Sequence, residues 1–452
     1  MQTALSAREA MTIRRSLATA MGVTCVAAVA CTGGGAPIEA RSAVLFIGDG
    51  MGQAYVTATR LARGGPRGRL RLDDLPYTAL VRTCSADRLV TDSAAAASAM
   101  ACGQKTVNGV LCEDASAVYA RQDGKKLESI AVWAKKRGMK VGLVTTTPVT
   151  DATPAAFYAT SNNRENERDV ARQAIVTGFD FLLGGGRQFF RPIAAMATAS
   201  SSATTDTEDL LEAARARGWT ILDSAPALRG VTSTDGRVLG LFSDEDLPYQ
   251  PEIDAARKKG RGGDSETAPT LLEMTHWAID WLQKSGRPFF LMVEGGRIDH
   301  AGHANWARTL VDETAAFDDT VGYAVDTLDP KTTLVLVTAD HETGGLAING
   351  YPDEKEGIWG PYRDPRAGKG NHGYQVVTFS SGPGIGKQTQ KPPHGEDDPR
   401  PSGIPLGSAA HTGVDVALYA WGAGAERVHG TLDNTAVYAI LRAHLEGKPY
   451  AR

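Results

Sequence analysis

The sequence has little to offer several common functions. Five cysteines in 452 residues include no CxxC spacing, so no cysteine zinc site is encoded. Positive charge is not in surplus: 48 Lys and Arg against 52 Asp and Glu give a net charge of -4. No broad basic field draws nucleic acid, and any grip on phosphate must be local. No internal repeat is visible, and aromatics reach only 7%. With 42% hydrophobic and 22% charged residues, the composition is that of an ordinary soluble globular protein. Its length suffices for one large α/β domain or two ordinary ones. The uncharged apolar stretch Leu17–Ala30 is shorter than the roughly 20 residues a membrane span needs.

That stretch does carry the marks of a secretory signal, with Arg14 and Arg15 before it and Cys31 and glycines after it. A buried helix of the mature domain is the lesser reading. Arg14-Arg15-Ser16-Leu17 also resembles a twin-arginine export signal, and Ala28-Val29-Ala30-Cys31 a lipoprotein cleavage site that would make Cys31 a lipid anchor. The expected organisation is a signal peptide over 1–30, a short linker over 31–42 and a single domain over 43–452. The expected place of work is the periplasm or cell exterior, membrane-anchored in the lipoprotein version. Export permits a disulfide. Cys102 and Cys112 would close a short loop through Gly103 and Gly109, the alternative being that Cys84, Cys102 and Cys112 are buried thiols.

Apolar, β-branched runs of strand length occur at Ala43–Ile47, Val141–Thr145, Pro288–Val293, Thr332–Thr338 and Val414–Tyr419. Helix-like stretches lie between them, at Ser93–Ala101, Leu127–Lys136, Thr207–Ala216 and Thr270–Lys284. The pattern predicts an α/β fold with a large, mostly parallel central sheet and helices on both faces. Segments near 184–264 and 364–407 read as peripheral insertions beside that sheet. Four of the strands run into polar, metal-capable residues: Asp49, Asp151 with Thr153, Glu294, and Asp340-His341. Ligands in open α/β sheets sit at the carboxyl ends of strands, so distant segments deliver these groups to one edge.

Thr91-Asp92-Ser93 precedes an alanine-rich helix, placing Ser93 at an N-terminus that favours an anion. Taken alone, the segment is better explained as an ordinary helix cap. Gly48-Asp49-Gly50-Met51-Gly52 is half of a dinucleotide fingerprint, but a carboxylate there would repel pyrophosphate unless a cation intervened. Glu294-Gly-Gly-Arg-Ile-Asp299-His300-Ala-Gly-His303 is the densest cluster, with Asp299 and His303 on one helix face. Oxygen and nitrogen ligands suit zinc, and Glu294 a harder ion such as magnesium. His411 supplies one more imidazole. Of nine histidines, His276, His372, His394, His429 and His444 are read as ordinary hydrogen-bonded residues.

Together these motifs, from about Ala43 to Leu445, resemble the alkaline phosphatases in order and spacing. The resemblance implies hydrolysis of small phosphate monoesters through a phosphoserine on Ser93, with two Zn2+ and one Mg2+. It implies Asp299, His303 and His411 at the first zinc and Asp49, Asp340 and His341 at the second. Asp49, Thr153 and Glu294 would hold magnesium. Arg164, thirteen positions after Asp151, stands at the spacing of the family's phosphate-binding arginine. Asp92, Asp151 and His300 are expected around the phosphate, Asp151 supporting magnesium and His300 acting through water. A homodimer is a family expectation that no residue pattern carries. A sulfatase would need Pro and Arg after its modified residue, and Ser93-Ala94-Ala95 lacks them. A diesterase tends to differ at the nucleophile and arginine, and an exported phosphate- or metal-capturing lipoprotein is the reading from another class.

Overall fold

A computed structural model of the chain describes residues 41–192, 206–260, 263–363, 373–384 and 399–450. The unit Glu39–Arg452 is described below. The expected signal, Cys31, His372 and His394 lie outside the described residues.

In chain order the strands are β1 (Ser42–Gly48), β2 (Tyr77–Arg82), β3 (Lys140–Pro148), β4 (Phe181–Gly185), β5 (Trp219–Leu222), β6 (Arg237–Leu241), β7 (Phe289–Gly295) and β8 (Thr333–Thr338). Short strands follow: β9 (Glu342–Thr343), β10 (Leu346–Ile348), β11 (Pro361–Tyr362), β12 (Tyr374–Gln375), β13 (Val377–Gly382), β14 (Ser402–Pro405) and β15 (His411–Thr412). The last are β16 (Val416–Gly422) and β17 (Gly430–Asp433). Ten of them make the central sheet, in the order β17-β2-β16-β8-β1-β7-β3-β4-β6-β5. Every neighbouring pair is parallel except the two made by β16.

All residues of β1, β7 and β8 are buried, whichever way they point. Both faces of the sheet's centre are therefore covered, which is why these runs are continuously apolar rather than alternating. No helix among the described residues is long and apolar enough to cross a membrane.

Register explains how the site is assembled. Ile47 lies level with Glu294 on one side and Thr338 on the other, and Glu294 lies level with Thr145. Residues just past these positions (Asp49 after β1, Asp340 and His341 after β8) emerge together at the carboxyl edge.

The 184–264 segment departs from expectation. It supplies β6 and β5 to the far edge of the central sheet instead of packing beside it. The buried Val238, Leu239 and Leu241 give β6 its apolar character, but the run is short and flanked by charge. The described part of 364–407 does lie apart from the sheet, with β13 and β14 joining β10 in a separate three-stranded sheet.

Candidate metal centre

Ser93 opens the helix Ser93–Cys102, a ten-residue run so rich in alanine that it lies flush against its neighbours, with Ser93 to Ala101 buried. Asp92 caps it, accepting from Ala95 N–H at 3.0 Å, while its other oxygen accepts from Gly109 N–H at 2.9 Å. Capping thus accounts for Asp92 without accounting for Ser93, whose hydroxyl sits 3.2 Å from His341 Nε2.

Two donor sets meet beside it. Asp299, His303 and His411 bring one ligand atom each within 4.8 Å of one another, as do Asp49, Asp299 and His341. The short helix Arg297–His303 places Asp299 and His303 one turn apart, with Oδ2 and Nε2 separated by 3.1 Å. His303 Nδ1 faces the Ala409 carbonyl at 2.5 Å, and His411 Nδ1 faces the Thr91 carbonyl at 3.1 Å. A carbonyl can only accept, so each Nδ1 carries the proton and each neutral ring offers its Nε2 lone pair inward. Those two Nε2 atoms are 3.1 Å apart. Two lone pairs aimed at one point require a cation or a proton between them.

Asp340 stands beside the second trio. Its Oδ1 accepts from Gly50 N–H at 3.0 Å and His341 N–H at 2.9 Å, leaving Oδ2 3.2 Å from His341 Nε2 without a hydrogen bond. The tighter trio substitutes Asp299 for it, because the Gly50 turn brings Asp49 and Asp299 together. Gly50 has φ +65°, and a Cβ there would lie 2.6 Å from Asp299 Oδ1. Asp49 Oδ1, Thr153 Oγ1 and Glu294 Oε1 are also buried without a hydrogen bond. Four such oxygens in one place, on residues suited to hard divalent ions, are the signature of a metal centre rather than of a polar core.

The electrostatics agree. Burial, and then the charges of Asp340 and Asp299, hold the Asp49 carboxyl well above the ordinary carboxylate range. Burial and the Asp151 charge push Glu294 to about 8, and burial followed by Asp299 pushes Asp340 to about 7. Burial also drives the His341 pKa well down and lowers that of His411. For His303 burial acts the same way, but the hydrogen bond and charge of Asp299 outweigh it and the pKa rises. Packing so many acids together without compensating charge is costly, and a divalent cation removes the cost.

Arg164 borders this centre, with Nη2 2.9 Å from Asp151 Oδ1 and Nη1 3.4 Å from Asp92 Oδ2. The two carboxylates hold its fork at the Ser93 end. Asp151 also caps the turn Ala152–Ala155, which carries the buried Thr153.

His300 has neighbours that the sequence did not foresee. Its Nδ1 lies 2.8 Å from Arg297 Nη1 and 3.4 Å from Asp246 Oδ2, so that side of the ring faces this pair. One position along a helix turns the side chain by about 100°, away from the face shared by Asp299 and His303. Burial disfavours the charged ring, but the hydrogen bond and charge of Asp246 prevail and raise its pKa.

Some participants were not foreseen. The Thr343 hydroxyl donates to Asp299 Oδ1, and the Thr145 hydroxyl donates to Glu294 Oε2. Tyr55 donates its hydroxyl to the Thr343 carbonyl. A run of three threonines at the end of β3 was the available signal for Thr145; Tyr55 and Thr343 had none.

Comparison with known proteins shows the family. A profile of the alkaline phosphatase family matches residues 40–446. The tissue-nonspecific alkaline phosphatase of Gallus gallus is 32% identical over 442 residues, covering 86% of this chain and 82% of that protein. The membrane-bound alkaline phosphatase of Bombyx mori is 32% identical over 448 residues, covering 88% and 79% respectively. Among solved structures, the Thermus thermophilus enzyme aligns with a TM-score of 0.69 at 28% identity, covering 91% of this chain and 92% of that one. A histidine-to-aspartate variant of the alkaline phosphatase from the Antarctic bacterium TAB5, with magnesium bound in its M3 site, aligns with a TM-score of 0.66 at 26% identity over 92% and 99%. A sheet edge crowded with unpaired carboxylate oxygens and converging imidazoles, on a chain matched along most of its length, identifies it as a metal-binding hydrolase of phosphate monoesters belonging to the alkaline phosphatase family.

Proposed function

We propose that this chain cleaves phosphate monoesters through a covalent phosphoserine on Ser93, at a centre that takes two zinc ions and one magnesium ion. The observation that carries the reading is the convergence of the Ser93 hydroxyl, the His341 ring and the unpaired oxygens of Asp49 and Asp340 at one buried spot. Asp299, His303 and His411 are the residues for one zinc, and Asp49, Asp340 and His341 for the other. Asp49, Thr153 and Glu294 suit magnesium, with Asp151 nearby to hold its waters. Divalent ions at these residues would offset phosphoryl charge and lower the pKa of bound hydroxyls.

The chain's own groups do the rest. The N-terminal N–H groups of the Ser93 helix favour the anion. Arg164 grips two non-bridging oxygens with its planar fork, and Asp92 and Asp151 hold that fork in place. Ser93 Oγ forms a bond to phosphorus as the bond to the alcohol oxygen breaks. Water then attacks the phosphoserine, releasing phosphate and restoring the hydroxyl. Two in-line displacements leave the configuration at phosphorus retained.

Residues 1–30 are proposed to be an export signal and 43–452 one catalytic domain, with Cys31 lipidated in the anchored version and the mature protein dimeric. Brief mixing with labelled phosphate at low pH tests the covalent step. Label on Ser93 in the parent, and none in Ser93→Ala with metal content intact, is expected. Label on another residue refutes it. Intact mass of the mature protein from its native host tests export, since retention of 1–30 would overturn cleavage.

A further inference from the structure

Thr343 is no ligand in the reading above, yet four ligand-bearing segments meet at it. The residue is fully buried. Its hydroxyl donates to Asp299 Oδ1 and lies 3.3 Å from His341 Nδ1. Its backbone N–H donates to the Gly50 carbonyl at 3.3 Å, next to Asp49. Its register partner across β9 and β15 is His411. Those segments carry residues of both proposed zinc sites.

The surroundings fix which way the side chain points. A Cβ at Gly50 would lie 2.7 Å from Thr343 Oγ1, and a Cβ at Gly302, between Asp299 and His303, would lie 3.3 Å from Thr343 Cγ2. The oxygen therefore packs over Gly50 and the methyl group over Gly302, on a β-branched side chain already stiff at χ1. The Tyr55 hydroxyl anchors the Thr343 carbonyl.

A hydroxyl has one proton to give, and an ionised carboxylate can only accept. The Thr343 proton goes to Asp299, so the same oxygen is left to accept from His341 Nδ1–H. With Nδ1 protonated, a neutral His341 keeps its Nε2 lone pair for the inner side of the ring, where Ser93 Oγ lies at 3.2 Å. The opposite tautomer has its own attraction. Asp340 Oδ2 and Asp49 Oδ1 lie 3.2 and 3.5 Å from Nε2, and both are acceptors that would draw a proton there. A proton on Nε2 excludes a metal from it. The Thr343 oxygen, on the other side of the ring, opposes that tautomer.

We propose that Thr343 is a positioning residue whose single hydroxyl serves both zinc sites, through the relay His341 Nδ1–H to Thr343 Oγ1–H to Asp299 Oδ1. It holds His341 in the metal-binding tautomer and Asp299 in its orientation. The proposal rests on the metal-centre reading above and deepens it by naming a residue outside both ligand sets on which both depend.

Two variants separate the hydroxyl from the packing. Thr343→Val keeps the shape and removes the hydroxyl; Thr343→Ser keeps the hydroxyl and removes the methyl group. The zinc-loaded proteins are titrated with chelators of graded strength, and the apparent Kd of each zinc equivalent is read with no substrate present. Both equivalents should bind about 10- to 100-fold more weakly in Thr343→Val, and within about threefold of the parent in Thr343→Ser, the range for a partner behind a metal ligand. The tautomer is read without metal, by long-range proton–nitrogen correlation on protein labelled with nitrogen-15 histidine. The His341 signal is assigned by its absence from His341→Gln. Its proton should sit on Nδ1 in the parent and on Nε2 in Thr343→Val. Equal losses in the two variants would overturn the proposal, since packing alone would explain them. A loss confined to one zinc overturns it too, as does Thr343→Val binding zinc within about threefold of the parent or a parent ring protonated on Nε2. Should Thr343→Val fail to fold, the parent's tautomer decides. A parent that binds no zinc refutes the metal-centre reading instead.

Discussion

Glu294→Gln should make the metal-free protein more stable and weaken the stabilisation that metal adds. Glu294 is fully buried at the end of β7, with Oε2 held by Thr145 and Oε1 without a hydrogen bond. Burial, then the Asp151 charge, lifts its pKa from an ordinary 4.5 to about 8. Between those values the folded protein holds a proton that the unfolded chain has released. Stability without metal is therefore greatest at low pH and falls as pH rises from about 4.5 to 8. At 1.36 kcal/mol per pH unit the full shift corresponds to roughly 5 kcal/mol, and sharing of charge among coupled acids reduces it to about half. Glutamine cannot ionise and still accepts from Thr145. Urea denaturation in EDTA should thus show the variant ahead by roughly 2–5 kcal/mol at pH 8 and the two proteins converging at pH 5. With zinc and magnesium that lead should shrink by about 2.7 kcal/mol, because ligand at 100 times its Kd stabilises the parent by that amount at the site Glu294 completes. A metal-free parent as stable at pH 8 as at pH 5 would refute the reasoning, as would a variant less stable than the parent in EDTA at pH 8.

Three further outcomes are expected. Arg164→Ala should raise the Ki for inorganic phosphate about 10- to 100-fold, the worth of charged hydrogen bonds of about 1.5–3 kcal/mol, and Arg164→Lys should recover only part; an unchanged Ki removes Arg164 from phosphate binding. The Cys102 and Cys112 sulfurs, both thiols here, lie 2.9 Å apart, so oxidation should join them and add roughly 3 kcal/mol, read as a melting temperature that falls on reduction. Titration of all three of Cys84, Cys102 and Cys112 in the oxidised protein would deny that pairing. Gly50→Ala places a methyl group 2.6 Å from Asp299 Oδ1 on a backbone at φ +65°, so it should cost about 1–3 kcal/mol and lower metal content, checked by thermal melting and elemental analysis; normal metal content would show the turn to be more yielding than its geometry implies.

Much of the site was legible because its residues sit just past apolar runs, where the sequence switches abruptly from Val or Ile to Asp, His or Glu. The central strands were legible for the same reason: burial on both faces leaves no polar interruption. Strands β5 and β6 were not, since four or five residues among charged neighbours look like loop. Thr343, Tyr55 and Asp246 had no spacing to betray them, and only the folded chain brings them to Asp299 and His300.

The sheet order carries a consequence for how the protein comes to life. β1 is paired with β7 and β8, strands made some 250 and 290 residues later, as the Ala43–Phe290 and Ala43–Leu334 pairings show. His411 arrives later still, on β15 against β9. Synthesis therefore delivers the acids first and the last imidazole near the end, so through most of translation the nascent chain carries an unfinished chelator. Long-range pairing is also slow to form. Loading with the right ions is thus a closing act of maturation, decided by whichever compartment the completed chain occupies when β15 finally docks.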